Sequence, residues 1–122
     1  IYGNDWPTFD GTGVRDFIHV MDVVEGHLKT LDYLSLMDSQ EIKINIGTGK
    51  GTSVLELINT YTKVNKVRVP YIFSKRRKGD NAIIFADNSL AKKLLKWTPN
   101  RSLENMCMDG WKWQKNNYLF SS

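Results

Sequence analysis

The sequence predicts an α/β fold in which short strands alternate with about four helices. Three observations carry that expectation. Short apolar runs of strand character, "VRDFIHV", "IKINIG", "VRVPYIF" and "NAIIFAD", recur along the chain. Stretches with apolar residues at helical spacing lie between and after them. Acids and hydroxyl residues of the kind that cap helices stand at the junctions.

The opening, "IYGNDWPTFD", is rich in turn formers (Gly3, Asn4, Asp5, Pro7) and has no initiator methionine, so it reads as mid-loop sequence from a longer polypeptide. Gly11 and Gly13 permit a tight turn into a strand over 14–20 with Val14, Phe17, Ile18 and Val20. Asp22, with Glu25 three residues on, predicts a capped helix over 22–35 whose apolar face is Val23, Val24, His27, Leu28, Leu31 and Leu34. A polar break at 37–41 leads to a strand over 42–46, where Ile42, Ile44 and Ile46 alternate with Lys43 and Asn45. Ser53 and Glu56 form a second capping pair, and Val54, Leu57, Ile58, Tyr61 and Val64 follow at helical spacing. Pro70 assigns the strand over 67–73 to a sheet edge or end. A strand over 81–87 ends at Asp87, which caps a helix over 88–97, and Ser102 caps a last helix with Leu103, Met106, Cys107 and Trp111 on its inner face.

Composition narrows the function classes. The 122 residues are 41% hydrophobic, enough for one compact domain. Seventeen Lys and Arg against thirteen Asp and Glu leave +4, a balance that suits an anion such as a phosphate but is too mild for nucleic acid. The basic residues also cluster in one loop without interleaved stacking aromatics. The single cysteine, Cys107, makes no internal disulfide, and with His19 and His27 it shows no zinc-ligand spacing. No structural metal and a reducing compartment are expected. The sequence has neither a run of the ~20 apolar residues a membrane span needs nor a secretory leader, so a cytoplasmic protein without membrane attachment is expected.

The glycine-rich "NIGTGKGTS", residues 45–53, sits where a phosphate would meet free helix amides. Its glycines give G-x-G-x-G, not the dinucleotide G-x-G-x-x-G, and Gly51 follows Lys50 where a P-loop needs Ser or Thr. It therefore reads as a tight strand-to-helix turn. Arg15 is the stronger lead, because a guanidinium in an apolar strand needs an anionic partner, which Asp16, Asp80 or a ligand would supply. In "KRRKGD" four consecutive cations precede Gly79 and Asp80, a loop able to clamp a diphosphate while the carboxylate accepts from a sugar hydroxyl. Such a run also suits a solvated charged loop. No catalytic residue is assigned to this chain, and both histidines read as packing or surface residues.

The stretches "IYGNDWPTFDGTGVRDFIHVMDVVEGH", "INIGTGKGTSVLELI", "RRKGD" and "SLENMCMDGWKWQ" resemble, in order and spacing, the C-terminal third of the UDP-glucose 4-epimerases, a family of the extended short-chain dehydrogenase/reductase group. The likeness covers essentially the whole chain. It implies that residues 1–122 are the UDP-sugar-binding region of a longer chain whose N-terminal NAD-binding Rossmann part is absent here. It also implies interconversion of UDP-glucose and UDP-galactose through transient NAD-dependent oxidation at C4, in galactose metabolism, by a homodimer. The NAD loop and the catalytic Tyr-x-x-x-Lys pair would lie upstream, leaving this piece inactive alone. Position by position, Arg15 and Arg77 match the arginines that hold the UDP diphosphate, Phe17 the aromatic beside ribose and base, and Asp80 the carboxylate on the ribose hydroxyls. Phe17 replaces the common tyrosine, so a contact needing a phenolic hydroxyl is not expected. Ile84 stands near the position that limits sugar size, which leaves acceptance of N-acetylated sugars open. A related nucleotide-sugar epimerase or 4,6-dehydratase, and a non-catalytic nucleotide-binding module, are the competing readings.

Overall fold

The computed structural model describes residues 1–36, 38–39 and 41–118, with Tyr118 described in its backbone only. The predicted break at 37–41 therefore lies partly outside the described residues. Three α-helices, α1 (Val20–Ser35), α2 (Val54–Asn65) and α3 (Leu103–Tyr118), accompany a short π-helical turn, Ala91–Leu95. Two short strands, β1 (Val14–Arg15) and β2 (Thr52–Ser53), pair antiparallel, with Val14 opposite Ser53 and Arg15 opposite Thr52. On its other side Val14 forms a parallel bridge to Ile83. The chain is thus a small α/β unit, as expected, but with less sheet than the alternation predicted.

Beyond Arg15 the ladder has nothing to continue on. The amides of Thr48, Gly49 and Ala86 donate to the side-chain carboxylate of Asp16. The predicted strand over 14–20 accordingly pairs only at 14–15, and that over 81–87 survives as the bridge at Ile83. The stretches 42–46 and 67–73 form no ladder among the described residues. At 42–46 the alternation itself holds: the three isoleucines are half-buried while Lys43 and Asn45 are exposed.

The α2 start matches the sequence closely. Glu56 N–H donates to Ser53 Oγ at 3.0 Å, and Ser53 N–H donates back to the Glu56 carboxylate at 3.3 Å, a reciprocal cap. The start of α1 is a correction. Its N-cap is His19, whose Nδ1 accepts from Met21 N–H at 3.0 Å, and Asp22 lies inside the first turn, fully buried. A buried carboxylate needs a charged partner, and Asp22 takes Arg101, accepting from its backbone N–H at 3.1 Å and its guanidinium at 2.5 Å. The predicted helix over 88–97 contracts to the single turn 91–95, ended by Lys96 in the left-handed region (φ 53°) and closely followed by Pro99. The predicted cap is a correction too: Asp87 accepts from Ser89 N–H at 2.9 Å in a local turn ahead of this element, which has no side-chain cap of its own.

The core gathers Ala91, Leu95 and Trp97 with Ile18, Tyr33, Ile44, Ile46 and Leu94. α1 approaches through Gly26, where a Cβ would stand 3.2 Å from Ile46. This close approach reverses the predicted inner face: Val24, His27, Leu28, Leu31 and Leu34 are exposed, Leu31 at 64%. α2 packs on α3, with Tyr61 edge-on to Trp111 at 6.1 Å and Cys107 buried between them as expected.

Candidate functional site

Arg15 ends β1, half-buried, its guanidinium folded back over Gly13 and donating to its own Val14 carbonyl at 2.7 Å. Of the partners open to it, the chain's carboxylates are not used: Arg15 has no ion pair among the described residues. It borders a cavity of about 450 Å³ together with Asn45, Ile84, Phe85 and Asp87. Ile84 reaches this wall because its N–H donates to the Val14 carbonyl at 3.0 Å.

The 75–80 loop is ordered by the opening segment. Arg76 donates to Asp5 at 2.7 Å and lies 4.0 Å from the centre of the Trp6 ring. Beside it, Arg77 covers the Tyr2 ring at 4.5 Å and donates through Nε to Asp80 at 3.0 Å. The chain enters this loop from Ser74, which exchanges backbone bonds of 2.8 Å with Ile1 and Gly3. Neither Tyr2 nor Trp6 was singled out in the sequence. Both lie in the opening stretch that carries the resemblance, as aromatics set among turn formers.

Phe17 faces elsewhere, into a cavity of about 400 Å³ that it shares with Lys50, Lys92 and Arg101. The expected site residues thus fall in three places: Arg15 with Ile84, Arg77 with Asp80, and Phe17 apart from both. Phe17 follows β1 after the ladder has ended, so strict alternation no longer decides which way it points.

The glycine-rich turn is no phosphate cradle, as read, and the reason is specific. Its Thr48 and Gly49 amides donate to Asp16, each at 3.0 Å, so the anion they bind belongs to this chain. Gly49 holds φ +72°, and a Cβ at Gly51 would meet Val14 at 2.5 Å. Burial works against the Asp16 charge, but hydrogen bonds from Thr48, Ala86 and Gly49 outweigh it and hold the carboxyl below its ordinary value. Asp10 is lowered in the same way: burial is overcome by bonds from Ser53 and Thr12, which join the turn before β1 to the start of α2.

Of the two roles the sequence leaves open for the histidines, packing or surface, His19 takes packing, 5% exposed, and its Nε2 also bonds Asp109 on α3 at 3.0 Å. One further feature escaped the sequence reading. Tyr71 and Lys75 stand four apart in "YIFSK", the spacing of the catalytic pair expected only upstream. They lie outside any helix, where four residues of extended chain separate side chains by about 13 Å, so the spacing does not assemble the pair. Tyr71 instead packs edge-on to Phe73 at 5.6 Å.

The described residues thus form a small α/β unit in which Arg15, without an ion pair among them, borders a cavity and Arg77 pairs with Asp80, cationic groups of the kind that bind phosphate. The chain belongs to the GDP-mannose 4,6 dehydratase family, whose model matches residues 1–109. It is 50% identical over 117 residues to a UDP-glucose 4-epimerase of Bacillus subtilis, covering 96% of this chain and 34% of the relative. A Drosophila melanogaster UDP-glucose 4-epimerase is 45% identical with the same coverage. Among solved structures, a UDP-glucose-4-epimerase from Stenotrophomonas maltophila with bound NAD and formylated UDP-arabinopyranose superposes with a TM-score of 0.91 at 47% identity, over 97% of this chain and 35% of that one. The Bifidobacterium longum enzyme in complex with NAD+ and UDP gives 0.87 at 42%, over 96% and 34%. The chain therefore spans about a third of the length of the curated relatives it matches.

Proposed function

We propose that residues 1–122 form the UDP-sugar-binding end of a UDP-glucose 4-epimerase, an isomerase that interconverts UDP-glucose and UDP-galactose. The observation that carries this reading is Arg15: half-buried beside a cavity and without an ion pair among the described residues, it draws its counter-anion from a ligand. The diphosphate is that anion. Arg77 is the second clamp, and its Nε bond to Asp80 leaves the terminal nitrogens for phosphate oxygens. In the same reading Asp80 accepts from the ribose hydroxyls, and the resemblance sets Phe17 beside ribose and base although its side chain faces the separate cavity of Lys50, Lys92 and Arg101.

The glycine-rich turn offers NAD no phosphate cradle, since its Thr48 and Gly49 amides are spent on Asp16. The cofactor, with the redox chemistry it supplies at C4, and the catalytic tyrosine belong in this reading to an upstream part. What the described residues contribute is grip on the nucleotide end, which fixes where the sugar lies. The reading extends to a cytoplasmic homodimer in galactose metabolism, on the strength of the resemblance. No helix of the described residues is long and apolar enough to cross a membrane.

The test is turnover by the full-length protein given UDP-galactose, with the anomeric protons of product followed by NMR. UDP-glucose as the sole new sugar nucleotide supports the reading. A 4-keto-6-deoxy sugar would move the protein to the dehydratases, and a protein that binds UDP without turnover would be a non-catalytic module.

A further inference from the structure

Between Arg15 and Phe17 stands a carboxylate that the proposed substrate contacts leave out. Asp16 accepts from four donors supplied by two distant segments. Its Oδ1 takes the Thr48 N–H at 3.0 Å and the Thr48 hydroxyl, and its Oδ2 takes the N–H groups of Gly49 at 3.0 Å and Ala86 at 3.1 Å. Gly47 makes room for this: a Cβ there would stand 2.7 Å from Oδ2 and 2.5 Å from Ala86 Cβ. One side chain therefore joins the strand bearing Arg15, the glycine-rich turn, and the 84–86 segment whose Ile84 and Phe85 wall the Arg15 cavity. Two carboxylate oxygens offer about four acceptor positions, and all are filled. The acid next to Arg15 in sequence is consequently spent on donors of the fold, and the guanidinium keeps its charge for an external anion.

We propose that Asp16 is a positioning residue of the nucleotide site: by clamping the turn and the 84–86 segment to the Arg15 strand, it sets the geometry in which a diphosphate is gripped. The inference rests on the proposed function and specifies how that site is held. Asp16 itself borders the Arg15 cavity, but its acceptor positions are filled by donors of the fold, so the role needs no bond from it to the ligand.

Asp16→Asn in the full-length protein tests it, because an amide of the same size keeps one acceptor oxygen and turns an NH2 toward one of the two donor pairs. The readouts are KM for UDP-galactose, the dissociation constant of UDP and kcat per folded site. The expected result is a rise of about tenfold in both KM and the UDP constant, with kcat changed less than about threefold. A purely structural Asp16 would lower the folded fraction while leaving both constants unmoved, and that result overturns the proposal. Should Asp16→Asn fail to fold, Thr48→Val removes one donor and keeps the Ala86 bond; a rise of about threefold in the UDP constant supports the clamp, and an unchanged constant refutes it. A wild-type protein that neither binds UDP nor turns over UDP-galactose refutes the proposed function itself, and the role of Asp16 with it, which separates the two failures.

Discussion

Arg15 and Arg77 meet their charge in different ways, and each way predicts a different mutant. Arg77 already has Asp80, so Arg77→Ala removes a charge-assisted contact to the ligand and leaves a half-buried Asp80 opposite a largely exposed position. UDP binding by the full-length protein should weaken by about 1.5 to 3 kcal/mol with little change in melting temperature, as calorimetry would show. Arg15 has no carboxylate partner to lose among the described residues. Replacing it with Leu removes an uncompensated charge beside a cavity, so stability should hold or rise while UDP affinity falls. Ile84→Ala leaves the backbone bond to Val14 in place and enlarges the cavity beside Arg15. The expected outcome is a higher ratio of UDP-N-acetylgalactosamine to UDP-galactose turnover. At this scale the charged candidates were legible, because a lone arginine in an apolar run is costly in any fold. What faces each of them was not: the stacking of Arg77 on Tyr2 joins residues 75 positions apart, and no local pattern encodes that distance.

Elements were legible where their signals are local. The Ser53 and Glu56 cap was readable because both members lie within one turn of α2. Ser53→Ala should lower stability by about 1 to 2 kcal/mol in urea unfolding, since the hydroxyl also donates to Asp10. The glycine-rich turn was read as a turn, but its reason lies in Asp16, some 30 residues earlier. Gly47→Ala places a methyl 2.5 Å from Ala86 Cβ, so it should displace the 84–86 segment and cost more than an ordinary surface change, with amide exchange at Ala86 accelerated. The apolar face of α1 was misread for a related reason. Helical spacing located a stripe of valine and leucine correctly but could not say which side meets the core. Gly26, which has no side chain to register in a periodicity count, marks the buried side. Asp22 misled in the same manner, a good cap by position whose burial instead demanded Arg101.

Across the described residues, three of the carboxylates that tie distant segments together, Asp10, Asp16 and Asp22, titrate low. At Asp10 and Asp16 the bonds described above outweigh burial; at Asp22 burial is likewise outweighed by bonds from Arg101. Groups whose folded values are depressed contribute stability above their unfolded value and lose it as pH falls through the folded value. Unfolding midpoints should therefore stay level from neutral pH down to about pH 5 and fall steeply below about pH 4, and Asp16→Asn should flatten part of that fall. The exposed stripe on α1 and the exposed Ile72, Ile83, Ile84 and Phe85 fit a unit that spans a third of its relatives' length and that, in the proposed reading, has further chain to cover it. The α/β class was readable from sequence, but the extent of its sheet was not, because strand periodicity shows a side-chain pattern and says nothing of whether a neighbouring backbone is there to pair with. The most direct test of the central claim is a calorimetric titration of UDP into the full-length protein and into its Arg15→Leu, Arg77→Ala double variant. One UDP bound per chain, with affinity reduced about a hundredfold or more in the variant, is the predicted result. Equal affinity in the two proteins would place the nucleotide elsewhere and contradict the account.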